Sequence, residues 1–177
     1  MTSKSDYSRI TIGLHWAVAA VILAMLLTAL QAWQSQSEAA SLYWLTLHGS
    51  IGTLFTILIA IRIILHFRTR QPAALAGEIW ERRLSFSVHK LMLVLVAAQL
   101  VTGPVDIWSG GWPIQVFGWF EIPPPFAKWG DASHDLIGSV HRWTGVAMFS
   151  LIVLHILGAV KHHLIDGDRT LKRMLGL

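Results

Sequence analysis

Long apolar runs separated by polar segments dominate this sequence. Four runs, at about 10–33, 42–67, 84–104 and 137–163, each meet or exceed the roughly 20 residues that a helix needs to cross a bilayer. The polar segment from 105 to about 136 is long and rich in Trp, Gly and Pro. The pattern predicts an all-α membrane protein, a four-transmembrane-helix bundle that forms a single domain over 1–177.

The composition agrees with a chain that lies in a lipid bilayer. Of the 177 residues, 54% are hydrophobic and 14% are charged, with a mean hydropathy of +0.54, whereas soluble domains have about 25% charged residues. The absence of cysteine excludes disulfides, thiolate-bound iron–sulfur clusters and covalent c-type haem attachment. The net charge of +4 does not indicate a nucleic acid partner, because the basic residues lie at the ends of the apolar runs.

The distribution of lysine and arginine predicts the orientation. Arg62, Lys90 and Arg142 lie well inside the runs, and of the other eleven basic residues only Lys128 falls on one side of the membrane. The ten on the other side are Lys4, Arg9, Arg68, Arg70, Arg82, Arg83, Lys161, Arg169, Lys172 and Arg173. By the positive-inside rule, both termini are cytoplasmic and the loops around Glu38 and Glu121 face outward.

Histidines recur inside the apolar runs, and their depths follow from their distances to the predicted helix ends. His141 and His155 are fourteen residues apart in one run. On a helix they lie within about 40° of each other and about 21 Å apart along the axis. His48 falls at the same outer level as His141, whereas His15 and His89 fall at the inner level of His155.

Paired histidines at two depths are what bis-histidine haem b requires. Neutral imidazole nitrogens fill both axial positions of the iron, and a helix bundle encloses the apolar macrocycle. A single intramembrane histidine is as easily a hydrogen-bonded core residue or a proton relay, but five on two levels favour ligands. We therefore predict two haems b, the outer one between His48 and His141. For the inner one, His155 has two candidate partners, His15 and His89, and a nearby glycine mildly favours His15.

Four glycines lie three or four residues from these histidines. They are Gly52, Gly138, Gly145 and Gly158. A residue without a side chain beside a ligand allows a flat macrocycle to approach the helix. Small residues also allow two membrane helices to pack closely, and the sequence leaves both interpretations open.

Arg62 and Arg142 are cations inside the apolar runs, where a charge is expensive and usually has a partner. We expect each to pair with the propionates of the haem at its level, Arg142 at the outer one and Arg62 at the inner one. The alternative is that the side chain extends to the membrane interface.

The remaining polar residues receive less definite roles. If His89 is not a ligand, it forms with Lys90 a polar pair that contacts either the edge of the inner haem or a quinone. His134, in the outer segment near the fourth run, stays without a role.

Several motifs resemble those of one family. SRITIGLHW in the first run, LHGSIG in the second, VHK in the third, and HRW followed by KHH in the fourth are similar to the bacterial cytochrome b561 family. The resemblance covers nearly the whole chain and extends to the membrane cytochrome b subunits of hydrogenases and formate dehydrogenases. It implies a place in the bacterial inner membrane, with His15 and His155 holding the inner haem and His48 and His141 the outer one.

Two filled axial positions close the irons to oxygen, so the expected chemistry is outer-sphere electron transfer. The leading hypothesis is a di-haem b-type cytochrome, an oxidoreductase that transfers electrons across or within the inner membrane in exchange with the quinone pool. Ubiquinone is the expected electron partner.

Two alternatives use the same haems. The resemblance includes a superoxide oxidase, which passes an electron from superoxide at the outer face to ubiquinone. The outer residues Lys128 and Arg142 are opposed by four carboxylates, so their charge balance does not clearly attract an anion. The other alternative is a membrane anchor and electron acceptor for a soluble dehydrogenase, with the outer loop docking a periplasmic redox protein.

Overall fold

A computed structural model describes residues 7–69 and 78–177, so the predicted topology residues Lys4 and Arg70 lie outside the described residues. Four long helices each contain a stretch that is apolar and long enough to cross a membrane, which confirms the predicted number of spans. The elements are α1 (Arg9–Gln34), α2 (Glu38–Arg68), α3 (Ile79–Ser109), β1 (Ile114–Val116), β2 (Phe120–Ile122), α4 (Asp131–Leu164) and α5 (Thr170–Leu175).

The helices extend beyond the apolar runs. The third run was predicted over 84–104, but α3 covers Ile79–Ser109 and continues through Pro104. Likewise α2 begins at Glu38, where the Ser37 side chain accepts a hydrogen bond from the Ala40 N–H. Hydropathy marks only the part of a helix that meets lipid, whereas caps and backbone hydrogen bonds decide where the helix ends. The predicted connection 105–136 therefore shrinks to the stretch between α3 and α4.

The four helices form two antiparallel pairs. α1 packs along α2 and α3 along α4, while the two pairs meet through α2, α3 and β1. A small buried core forms around Val18 and Val21 of α1 and Ile59 of α2, and Val96 and Leu100 of α3 pack against it. Large apolar side chains on the outer faces of the helices are exposed, as lipid contact requires.

A β-hairpin between α3 and α4 was not predicted. β1 and β2 pair antiparallel around a tight turn in which Phe117 and Gly118 have φ of 51° and 72°. Positive φ at both central residues is typical of the type I′ turns that favour hairpins. Ile114 and Val116 of β1 are 2% and 0% exposed, so this strand is part of the core.

Ser50 of α2 holds the hairpin in the bundle. Its hydroxyl accepts a hydrogen bond from the Phe117 N–H at 2.9 Å and lies 3.0 Å from the Gln115 carbonyl oxygen. Ser50 is twelve residues from the start of α2, about 18 Å along the helix. The hairpin therefore descends to a depth at which backbone polar groups need partners within the protein.

Polar contacts also fix the opposite end of the bundle. The Trp16 indole N–H of α1 donates to the Met174 carbonyl of α5 at 2.8 Å. Lys161 of α4 lies 2.6 Å from Glu81 of α3 and 2.9 Å from Asp166 in the turn after α4. These contacts join α1, α3, α4 and α5 below the inner histidines.

The turn between α4 and α5 is organised by Asp168. Burial by itself raises the pKa of this carboxyl, but hydrogen bonds from Thr170 and the neighbouring His162 ring outweigh burial and hold the pKa below its usual value. The Thr170 N–H donates to Asp168 Oδ1 at 2.7 Å. The ionised carboxylate thus stabilises the start of α5.

Ser50→Ala is expected to destabilise the protein by about 1–3 kcal/mol, because the Phe117 N–H loses its buried acceptor. Thermal unfolding in detergent measures the change. Ser150→Ala is the matched control, since Ser150 is exposed and, among the described residues, its hydroxyl bonds the Val146 carbonyl of its own helix alone. Equal unfolding temperatures for the two variants would contradict the role given to Ser50.

Candidate cofactor site

The first of two histidine pairs joins α2 to α4. The ring centroids of His48 and His141 are 6.2 Å apart, and the ring planes are nearly perpendicular at 86°. The two side chains are part-buried and lie at the end of the bundle nearer the hairpin. The structure thus brings together the two histidines predicted to share the outer level.

A hydrogen bond from α1 orients His48. Its Nδ1 lies 2.9 Å from the Met25 carbonyl oxygen and 3.3 Å from Thr28 Oγ1. A carbonyl oxygen only accepts hydrogen bonds, so the Nδ1 atom carries the proton. The neutral ring is then left with its lone pair on Nε2, the state that a metal ligand needs.

A hydroxyl of α3 orients His141 in the same way. His141 Nδ1 lies 2.9 Å from Thr102 Oγ1, and that hydroxyl donates its hydrogen to the Ala98 carbonyl at 2.8 Å. Thr102 must therefore accept from His141 Nδ1–H, which again leaves the lone pair on Nε2. Gln99 holds the same turn of α4 by donating to the His141 carbonyl at 2.8 Å.

The second cluster contains three histidines. The ring centroids of His15 (α1) and His155 (α4) are 6.4 Å apart with an interplanar angle of 64°. His89 (α3) lies closer to His155, with centroids 4.9 Å apart, and its Nδ1 is 2.6 Å from the Ser85 carbonyl oxygen. His15 and His155 are part-buried, whereas His89 is exposed.

The ring separations test which pairs fit one metal ion between them. A metal–nitrogen bond to imidazole is about 2 Å, and ring bonds of about 1.33 Å place each nitrogen about 1.1 Å from the ring centre. Two imidazoles on opposite sides of one metal therefore have centroids about 6.3 Å apart. The separations of 6.2 and 6.4 Å fit this requirement, and the 4.9 Å between His89 and His155 does not.

Each fitting pair supplies only two ligands. Within 7–69 and 78–177, no group of three or more His, Cys, Asp or Glu side chains is placed to hold a metal ion. A metal bound between two histidines here needs its other ligands from a non-protein group. The nitrogens of a porphyrin provide them, so the donor set fits haem iron rather than a bare ion.

The structure places the two predicted arginines at opposite levels. Arg62 of α2 is half-buried and within electrostatic reach of the His15 ring, which puts it at the inner cluster. Arg142 of α4 follows His141, is exposed, and is an electrostatic neighbour of Asp106. Lys90 is exposed beside His89 on α3.

Three of the four predicted glycines contact a neighbouring helix. A Cβ on Gly52 would come within 2.8 Å of the Met25 methyl group, one on Gly138 within 2.8 Å of the Asp106 carboxylate, and one on Gly145 within 3.8 Å of Gln99. Helix packing is therefore the better interpretation for these three. Gly158, one turn from His155, faces open space.

Sequence reasoning missed the residues that orient the rings. Gln99 and Thr102 are polar, three residues apart in an apolar run, and both reach the His141 turn of α4. Their spacing was a usable signal, since polar residues on one face of a membrane helix usually meet a partner. The sequence gives no signal for the contact with the Met25 carbonyl, because every residue has a backbone carbonyl.

The known proteins that this chain is similar to belong to one family. A family model described as prokaryotic cytochrome b561 matches residues 6–177. Cytochrome b561 homolog 2 of Escherichia coli (strain K12) is 34% identical, with 96% of this chain and 91% of that protein covered. Cytochrome b561 homolog 1 of the same organism is 26% identical, with 96% of each chain covered. The chain therefore belongs to the prokaryotic cytochrome b561 family, membrane electron-transfer cytochromes whose cofactor is haem b.

Proposed function

We propose that this protein is a di-haem b cytochrome of the bacterial inner membrane that exchanges electrons with the quinone pool. One observation carries the proposal: two histidine pairs, with ring centroids 6.2 and 6.4 Å apart, each have the spacing that one axially ligated iron needs. Because α4 contributes His141 to one pair and His155 to the other, the two irons would lie at different depths.

A backbone carbonyl and a side-chain hydroxyl beside the outer pair support iron ligation. Met25 and Thr102 accept the Nδ1–H of His48 and His141, and such partners fix the ring orientation and make Nε2 a better donor. At the inner level we assign His15 and His155 as ligands, and His89 as a neighbour that is too close to His155 to share an iron with it.

When bound, each haem would supply a one-electron couple. The protein contributes an apolar environment, because Val18, Val21 and Ile59 and their neighbours fill the bundle between the two levels. Arg62 at the inner level and Arg142 at the outer level are cations that would pair with the haem propionates.

We place the quinone contact at the inner cluster, on His89 and Lys90. Both side chains are exposed on α3, and His89 lies against His155. The Ser85 carbonyl accepts the Nδ1–H of His89, so its Nε2 is free to bond a quinol hydroxyl. Oxidation of ubiquinol releases two electrons and two protons, and a histidine there would accept a proton on its way to the cytoplasm.

The orientation of the bundle in the membrane follows from the distribution of its basic residues. The helix ends nearest His15 and His155 carry the basic residues Arg9, Arg68 and Lys161, and by the positive-inside rule they face the cytoplasm. The hairpin and the outer pair then face the periplasm, with both termini inside.

Loss of a ligand should remove one haem. His15→Ala or His141→Ala is expected to lower the pyridine haemochrome content from about two haems per chain to about one, because an iron with one axial histidine binds weakly. His89→Ala is the matched control and should keep about two. If His89→Ala loses a haem and His15→Ala does not, the inner assignment is wrong.

Loss of a ring-orienting hydroxyl should weaken outer haem binding without abolishing it. Thr102→Val removes the acceptor of His141 Nδ1–H with little change in volume, and we expect haem affinity to fall by about 10–100-fold. Haem titration of the apoprotein measures this change. Thr56→Val is the control, since within 7–69 and 78–177 the Thr56 hydroxyl bonds the Gly52 carbonyl of its own helix alone. Equal affinities for both variants would contradict the role of Thr102.

Quinol oxidation should depend on His89. We expect His89→Phe to retain both haems. In stopped-flow mixing with a water-soluble ubiquinol, its haems should be reduced on the order of a hundredfold more slowly, because the variant lacks the side chain that accepts the quinol proton. Ser87→Ala, an exposed change two residues away, should behave as wild type. A wild-type protein that superoxide reduces and quinol does not would overturn quinol oxidation in favour of superoxide oxidation, with ubiquinone as the electron acceptor.

A further inference from the structure

A polar cluster that includes neither histidine pair lies at the outer end of the α3–α4 interface. Asp106 and Ser109 of α3 face His134 of α4, whose Nδ1 is 2.8 Å from Ser109 Oγ and 3.7 Å from Asp106 Oδ1. Ser109 is fully buried, while the side chains of Asp106 and His134 are 31% and 25% exposed. Trp112 packs edge-on against the His134 ring, with centroids 5.6 Å apart.

The hydrogen bonds identify which nitrogen of His134 can take up a proton. The Ser109 hydroxyl donates its hydrogen to the Asp106 carbonyl at 2.9 Å, so towards His134 it is an acceptor. His134 Nδ1 therefore carries a hydrogen in the neutral ring, and an added proton binds at Nε2. The Asp106 carboxylate, 3.7 Å away, is close enough to pair with the charged ring.

This cluster lies directly beyond the outer histidine pair. Asp106 is four residues, about 6 Å, along α3 from Thr102, which accepts the His141 Nδ1–H. On α4, Asp106 Oδ1 lies 2.8 Å from the position of a Cβ on Gly138, three residues before His141. A charge at Asp106 or His134 is thus about one helical turn from the His141 ligand, inside a bundle of low dielectric constant.

The other charged groups around the cluster come from three elements. Arg142 of α4 is an electrostatic neighbour of Asp106. Towards solvent lie Lys128 and Asp131, which pair at 3.6 Å, the exposed Asp135 of α4, and Glu121 of the hairpin, which bonds Gln115.

We propose that Asp106 and His134 form a proton-exchange site coupled to the outer haem. On one-electron reduction of a haem held between His48 and His141, with quinol as the proposed donor, His134 Nε2 would take up one proton from the outer aqueous phase beside the Asp106 carboxylate. On reoxidation of that haem, His134 would return the proton to the same phase. The added charges cancel, which lowers the cost of an electron inside the bundle. This inference rests on the proposed function, since it needs a haem at the outer pair.

The experiment is a potentiometric titration of the outer haem between about pH 5.5 and 8.5, the range in which a histidine titrates. The full chain with His15→Ala serves as the background, so that the outer haem alone is titrated. We expect its midpoint potential to fall with pH, approaching 59 mV per tenfold change in proton concentration for one proton per electron. His134→Gln, whose amide can still donate to Ser109, should flatten this dependence, and Asp106→Asn should reduce it.

Asp135→Asn is the matched control, because Asp135 adjoins His134 on α4 but is exposed outside the cluster. Asp135→Asn should show the same pH dependence of the midpoint potential as the His15→Ala background. The proposal would be overturned if the midpoint potential of His134→Gln still changed with pH as in the background protein. It would also be overturned if Asp135→Asn lost this pH dependence to the same extent. Loss of all haem in the His15→Ala background would contradict the proposed ligands instead, so the two failures are distinguishable.

Discussion

A polar group inside a lipid bilayer needs a hydrogen-bond partner within the protein, and this constraint explains the most informative contacts of the structure. The Met25 carbonyl and the Thr102 hydroxyl accept the Nδ1–H of His48 and His141, and Ser50 bonds the hairpin backbone. A ring that donates from Nδ1 retains its lone pair on Nε2. The bonds that make these histidines tolerable in lipid therefore also prepare them to coordinate a metal.

The arrangement of helices follows from the same histidines. α1 and α2 form one packed pair, α3 and α4 the other, and the two ring pairs connect them across the interior. α4 is a continuous helix that contributes a ring at both levels, so its rise per residue sets their separation. The apolar core around Val18, Val21 and Ile59 lies between the two levels.

An electron that enters such a bundle brings a charge into a medium of low dielectric constant, where uncompensated charge is costly. The two ends of the bundle offer compensation in different ways. The inner end has Arg62 beside His15 and the Lys161–Glu81 bridge, whereas the outer end has the Asp106–His134 cluster one turn beyond His141. On the functions proposed above, Arg62 would compensate charge at the inner level, and Arg142 together with an exchangeable proton would do so at the outer level.

The sequence by itself determined the four spans, the family, and the grouping of His48 with His141 and of His155 with the inner histidines. Hydropathy and helical rise are local properties, because they depend on the residue types and on their spacing along the chain. The tertiary structure decided where the helices end and which residues of different elements meet, because spacing along the chain leaves both open. It placed His15 and His89 at different distances from His155, and it extended the helices past their apolar runs. It also placed the β1–β2 hairpin on Ser50 and brought Asp106 to His134. Each of these depends on which faces of different helices meet, and that follows from packing in three dimensions rather than from the order of residues.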